Sequence, residues 1–293
     1  MPEACNRRRF QPCIRYMEGK ELNYSVTNKD AGNYGIIKWR GFMLDTGLVS
    51  ITFRKLSPQE IINMVVKAGL SGIEWGGDIH VPHGNSECAR EVYRMTTDAG
   101  LKIAAYGSYY HVGCEEQTGI PFGRVLDTAC ELNAPTIRVW AGNRSSQDAD
   151  EAWWAKVVDE THRISEMAKV SGITISFEYH GNTLTDTGES ALRLMKAVGG
   201  SNVASYWQPP GGVDFKQQIE GLKQILPWVG NIHVFWWNKS KRQPLADGID
   251  AWKKYMELIR SVKGDRFCMI EFVRDDDANQ FLEDATALKQ IVQ

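Results

Sequence analysis

Two glutamates, a histidine and a glutamine stand at or near the ends of apolar runs in the second half of the chain. Glu178 follows GITISF, Glu271 follows FCMI, His233 lies inside NIHVFWW, and Gln208 follows NVASYW. Burying an ionised carboxylate costs on the order of several kcal/mol unless a metal ion, a cation or hydrogen bonds compensate, so an acid at the end of such a run asks for a reason. Two carboxylates, an imidazole and an amide oxygen make a donor set for a divalent ion of the Mn, Mg, Zn or Co kind, with positions left open for substrate oxygens. Such an ion polarises a carbonyl and lowers the pKa of a bound hydroxyl. The carboxylates Glu178 and Glu271 can then move a proton at the carbon beside that carbonyl. Taken singly, each residue has a plainer role: a strand-end acid often forms a salt bridge, and a strand histidine often completes a core hydrogen bond. Separations of 30, 25 and 38 residues mean that only a fold gathering several strand ends can make these four residues a site.

The surrounding pattern supplies such a fold. From residue 47 the chain alternates short apolar runs with helix-like segments. Strands are expected over 47–53, 72–75, 101–107, 136–140, 172–177, 203–207, 231–236 and 267–272. Ser57-Pro58-Gln59-Glu60 reads as a helix start, with Ser at the cap and Pro in the first turn, and Ala68-Gly69 as its end. Eight strands alternating with eight helices in about 245 residues is the length of a (β/α)8 barrel, and near-continuous apolar strands suit a sheet covered on both faces. A doubly wound open sheet usually carries a glycine-rich phosphate turn, and neither GxGxxG nor a P-loop is present. The expected fold is therefore a single α/β TIM barrel over 43–293, whose strand C-termini converge on one face.

Further polar groups fall at or near predicted strand ends. Glu74, His80, Tyr109, Arg138 and His180 are expected to grip substrate hydroxyls, with Trp207 and Trp236 as apolar faces beside them. Trp75, Trp140 and Trp237 belong to the same aromatic set, although an indole also simply fills a core. His80 and His83 form a lesser candidate for a second metal site, and Lys239, Lys241 and Arg242 for an anion contact or an ordinary solvated loop.

Composition narrows the partners. The 293 residues carry a net charge of −2, which steers nothing toward nucleic acid or an anionic membrane. No window approaches the roughly 18 apolar residues of a membrane span, and the N-terminus shows no signal-peptide pattern. Six cysteines without a CxxC favour a reducing cytoplasm. Residues 1–42 stand apart: eight Lys/Arg against four Asp/Glu give them +4 and leave −6 for the remainder. They read as an extension outside the fold, a basic arm for a partner or a targeting peptide being the rival reading.

The motifs ISFEYHG, a Tyr-Trp-x-Pro turn, NIHVF and MIEF resemble the sugar phosphate isomerase/epimerase family with a xylose isomerase-like barrel, over roughly residue 44 to the end. The resemblance implies a divalent metal, Mn first and Mg, Co or Zn after it, held by Glu, Asp, His and Glu from strands five to eight. The two Glu would also serve as the acid/base pair of enediol or epimerisation chemistry on a sugar or related polyol. Glu178, His233 and Glu271 match that pattern. Gln208 stands where Asp is usual, and Pro209-Pro210-Gly211-Gly212 lacks the His often found there; an amide in place of a carboxylate weakens a hard-cation site. The rival expectation is a degenerate barrel that binds a sugar-like ligand without metal chemistry. The superfamily also includes endonucleases acting at abasic sites, but a −6 barrel with few histidines argues against nucleic acid. Barrels of this kind often pair as homo-oligomers, and no interface is legible in the residues.

Overall fold

The computed structural model describes residues 43–293 apart from 201 and 239; the expected extension over 1–42 and the expected contact at Lys239 lie outside the described residues. Eight parallel strands close a barrel in chain order: β1 (Leu44–Val49), β2 (Gly72–Gly76), β3 (Lys102–His111), β4 (Thr136–Trp140), β5 (Thr174–Phe177), β6 (Val203–Trp207), β7 (Val229–Val234) and β8 (Arg266–Ile270). Closure is made by β1 against β8, with Leu44 opposite Arg266 and Leu48 opposite Ile270. The helices α1 (Pro58–Ala68), α2 (Ser86–Asp98), α3 (Phe122–Glu131), α4 (Glu151–Val170), α5 (Gly188–Val198), α6 (Phe215–Ile225), α7 (Ile249–Arg260) and α8 (Ala278–Ile291) follow the strands in turn. A two-stranded ribbon, Trp237–Asn238 against Lys241–Arg242, comes after β7. No helix among the described residues is long and apolar enough to cross a membrane.

Local chemistry sets the helix ends. Ser57 and Glu60 form a reciprocal capping box at the start of α1, and Gly69 ends it with φ +63°, a conformation open to glycine. Gly188 opens α5 where its Cα meets that of Gly221 in α6, a close approach that a side chain would block.

Strand parity divides the apolar residues into two sets. Ile73 and Trp75 of β2, Ile137 and Val139 of β4, and Ile232 and Val234 of β7 belong to the large cluster packed between barrel and helices. The residues between them, Glu74, Arg138 and His233, share the interior with a small cluster that includes Val49, Ala105, Tyr206 and Met269. One face of the barrel wall is thus almost wholly apolar, and the inner face carries the polar groups.

Several strand bounds differ from the sequence expectation, most in three strands. β1 ends at Val49, and Ser50–Phe53 forms a 3-10 turn. There the Ser50 hydroxyl accepts the Gly76 N–H (2.9 Å) and the Thr52 hydroxyl accepts the Phe272 N–H (3.0 Å), so side chains replace the ladder. β3 runs on to His111 through an irregularity between Gly107 and Tyr110, with Tyr109 at φ +54°. β7 begins and ends two residues earlier than expected.

Candidate active site

The four residues singled out first do converge. Glu178 leaves β5, Gln208 leaves β6, His233 lies in β7 and Glu271 leaves β8. His233 Nδ1 stands 3.1 Å from Gln208 Oε1, 3.3 Å from Glu271 Oε2 and 3.7 Å from Glu178 Oε1. Glu178, His233 and Glu271 each offer one ligand atom, all within 4.8 Å of one another, and all three residues are buried.

Beneath them lies a polar network across the barrel interior. Arg138 Nε donates to Glu74 Oε1 (2.7 Å), and its Nη1 donates to Glu178 Oε2, which also accepts the Trp140 indole N–H. Tyr206 donates its hydroxyl hydrogen to Glu74 Oε2 (2.7 Å) and accepts from the Asn231 amide (3.0 Å). Asn231 in turn accepts the Phe267 N–H of β8 (2.9 Å). His233 Nε2 lies 3.5 Å from Glu74 Oε2, at the edge of hydrogen-bond range.

Charge keeps this network ionised against the cost of burial. Burial would raise the Glu74 pKa, but Arg138 and His233 outweigh it and hold the carboxyl at about 2. Burial would lower the His233 pKa, but Glu271 and Glu74 carry it to about 10. Glu271, also opposed by burial, is held below the usual carboxylate range by His233 and Arg138. The Arg138 guanidinium is raised well above its ordinary value by Glu178 and Glu74, which overcome its desolvation. Burial and the charge of Glu74 push the Tyr206 phenol far up, so it remains a donor.

The donor set fits a divalent cation. Ligand atoms at right angles around an ion with bonds of about 2.1 Å lie roughly 3 Å apart, and three contacts of 3.1, 3.3 and 3.7 Å about His233 Nδ1 match that scale. With His233 neutral, three buried carboxylates against one guanidinium leave two negative charges, the complement of a divalent ion. Oxygen donors with a single imidazole suit Mn, Mg, Co or Zn.

Above this floor opens a cavity of about 550 Å³, lined among others by Arg54, Tyr109, Arg138, Trp140, Glu178, His180, Asp186, Gln208, Trp236, Trp237, Glu271 and Phe272. Of the residues expected to grip substrate, Tyr109, Arg138, His180 and Trp236 are therefore at the cavity. The Tyr109 ring lies over the Arg138 guanidinium at 4.9 Å. His180 stacks on Trp140 with ring centroids 4.7 Å apart, and its Nδ1 bonds the Gly181 carbonyl (2.7 Å).

Three of the expected gripping residues are placed elsewhere. Glu74 is wholly buried beneath the cavity, its oxygens taken by Arg138 and Tyr206. His80 bonds the Ser50 hydroxyl (2.9 Å) and the Leu56 carbonyl (3.2 Å), so both ring nitrogens are engaged. Trp207, one position past the inward Tyr206, faces the helices and packs against Tyr255 at 4.9 Å. Trp75 also faces outward, to the Thr96 hydroxyl of α2 (3.2 Å). His83 bonds Tyr106 (2.7 Å).

Sequence reasoning missed Tyr206, Asn231 and Asp186. Asp186 accepts the Ser146 N–H on one oxygen (2.9 Å) and leaves the other unpartnered. For Tyr206 a signal existed, since it shares strand parity with Gln208.

A 3-dehydroshikimate dehydratase of Bacillus anthracis is 24% identical over 258 residues, spanning 77% of this chain and 89% of that protein. The crystal structure of the probable 3-DHS dehydratase AsbF from Bacillus anthracis superposes with a TM-score of 0.69 at 22% identity, covering 84% of this chain and 99% of that one. D-psicose 3-epimerase, determined in the presence of D-fructose, gives 0.63 at 19% identity, covering 84% and 97%. The model of the xylose isomerase-like TIM barrel family matches residues 62–291, and the chain belongs to that family.

Proposed function

We propose that this barrel catalyses proton transfer at a carbon next to the carbonyl of a small polyhydroxylated substrate, with Glu178, Gln208, His233 and Glu271 holding a divalent ion, Mn first. The observation that carries the reading is the meeting of three oxygen donors at His233 Nδ1 on the cavity floor. When bound, such an ion polarises the carbonyl and acidifies a coordinated hydroxyl.

The residues divide the remaining work. Glu178 Oε2 is fixed by Arg138 and Trp140, which directs its other oxygen toward His233. Glu271 bears one contact, to His233, and its second oxygen is free of hydrogen bonds among the described residues. Glu271 is thus the better placed to take the proton from carbon, and Glu178, three strands away around the barrel, to return one from the other side. His180, with Nδ1 committed to Gly181, has Nε2 left to exchange a hydrogen bond with a substrate hydroxyl. Arg138 lines the cavity floor, and its buried Nη2 has no hydrogen-bond partner among the described residues. Trp140, Trp236 and Trp237 offer flat faces to C–H groups.

Removal of a proton beside a carbonyl is the step shared by isomerisation, epimerisation and loss of a β-hydroxyl, so relatives named as a dehydratase and as an epimerase both agree with it. The test is to load the protein with Mn(II) and incubate it in D2O with D-fructose, D-psicose or 3-dehydroshikimate, following C–H exchange by NMR. Exchange in the parent, lost in Glu271→Gln and Glu178→Gln, supports the assignment, and the product tells epimerisation from dehydration. Neither exchange nor retained ion would sink it. Because Gln208 supplies only a neutral oxygen, the second reading is a binding barrel; a ligand-induced rise in Tm without any retained ion would favour that instead.

A further inference from the structure

Glu74 is a wholly buried carboxylate that lies beneath the cavity rather than on its wall, a costly place for a charge. Its ion pair with Arg138 is one role, shared with Glu178, which pairs with the same guanidinium. What Glu74 alone does is face the rear nitrogen of His233.

We propose that Glu74 is a positioning residue that fixes the tautomer and ring orientation of His233, so that Nδ1 is the nitrogen offered to a divalent ion; the inference rests on the reading of Glu178, Gln208, His233 and Glu271 as an ion site. Its two oxygens accept from Arg138 Nε and from the Tyr206 hydroxyl, each at 2.7 Å, so the carboxylate acts only as an acceptor. A lone pair on His233 Nε2, 3.5 Å from Glu74 Oε2, would be repelled, and an N–H there is favoured. Once an ion takes the lone pair of Nδ1 among Gln208, Glu271 and Glu178, the proton left on a neutral imidazole sits on Nε2, where Glu74 Oε2 faces it. A carboxylate behind a ligating imidazole orients the ring and raises its basicity.

The same group reaches the opposite side of the site. From Glu74 the hydrogen bonds run through Arg138 to Glu178 Oε2, leaving Glu178 Oε1 toward His233. In the other direction Tyr206 ties Glu74 to Asn231. One carboxylate on β2 therefore sets the ligand atoms of residues on β7 and just past β5.

The experiment compares the full chain with Glu74→Gln and Glu74→Asp. Mn(II) affinity is read from the EPR signal of the free ion, the Co(II) visible spectrum reports the ligand field, and Tm is recorded separately. The charge-conserving Asp withdraws the carboxylate by one methylene and keeps a counter-charge for Arg138. A positioning role predicts Mn(II) binding weaker by about 10- to 100-fold in Glu74→Gln, weaker also in Glu74→Asp, and an altered Co(II) spectrum in both. Folded variants that bind Mn(II) within twofold of the parent with its spectrum, whatever their Tm, would overturn the inference and leave the ion site standing. A parent that holds no divalent ion overturns the site and the inference together. If Glu74→Gln does not fold, Glu74→Asp decides.

Discussion

Binding of a divalent ion should release close to one proton, and its affinity should depend on pH through His233. In the ion-free protein burial opposes protonation of His233, but Glu271 and Glu74 raise its pKa to about 10, so at neutral pH the imidazole is protonated. An ion can use Nδ1 only after that proton leaves. Each pH unit below 10 therefore weakens apparent binding about tenfold, or roughly 1.4 kcal/mol. Between pH 6.5 and 8.5 the expected change is about 100-fold, tighter at the higher pH. Glu74 and Glu271, held below the usual carboxylate range, stay ionised across that window and add no slope. Mn(II) titrations at pH 6.5, 7.5 and 8.5, with calorimetry in two buffers of different ionisation enthalpy, measure slope and proton release independently. His233→Gln should bind more weakly and lose the slope. An affinity flat with pH, with no proton released, would refute the reasoning. The same proton sets stability: a pKa raised from 6.5 contributes stabilisation that is fully present below pH 6.5 and lost as pH rises through 10. Urea unfolding of the ion-free protein should show a loss of roughly 3 to 5 kcal/mol over that range.

Arg138→Met leaves Glu74 and Glu178 buried without their shared cation, and should cost about 3–5 kcal/mol, a fall in Tm of about 10 °C; a drop under about 3 °C would contradict the role of this ion pair. Gln208→Glu adds a negative charge among the ion's ligands and should tighten Mn(II) at least about tenfold, whereas unchanged affinity in the same EPR titration would remove Gln208 from the ligand set. Gly188→Ala would place a Cβ 2.5 Å from Gly221 Cα, and the overpacking between α5 and α6 should cost about 1–3 kcal/mol in urea unfolding; a neutral result would mean that the two helices separate easily.

The barrel and the floor of its site were legible for one reason, and the walls of the site were illegible for a related one. A strand buried on both faces reads as a continuous apolar run, so a polar side chain at its end stands out. Glu178, Gln208 and Glu271 stood out in this way, and the (β/α)8 alternation told where strand ends meet. The same continuity hides which face a strand residue takes. Tyr206 and Trp207 are neighbouring aromatics of like hydrophobicity, yet Tyr206 bonds Glu74 inside the barrel and Trp207 packs on Trp252 and Tyr255 outside it. Only parity from a fixed inward residue separates them, and Gln208 gives that parity once it is accepted as inward. Applied to β2 and β4, the same rule turns Glu74 and Arg138 inward and Trp75 outward, as found. A mid-strand acid and a mid-strand arginine of inward parity must then neutralise each other, because neither can be buried alone. Their partnership was therefore implicit in strand pattern and electrostatics. The third partner was not: that Glu74 also faces His233 Nε2 depends on the curvature of the closed barrel, which sets β2 across the interior from β7, and no local pattern encodes that distance.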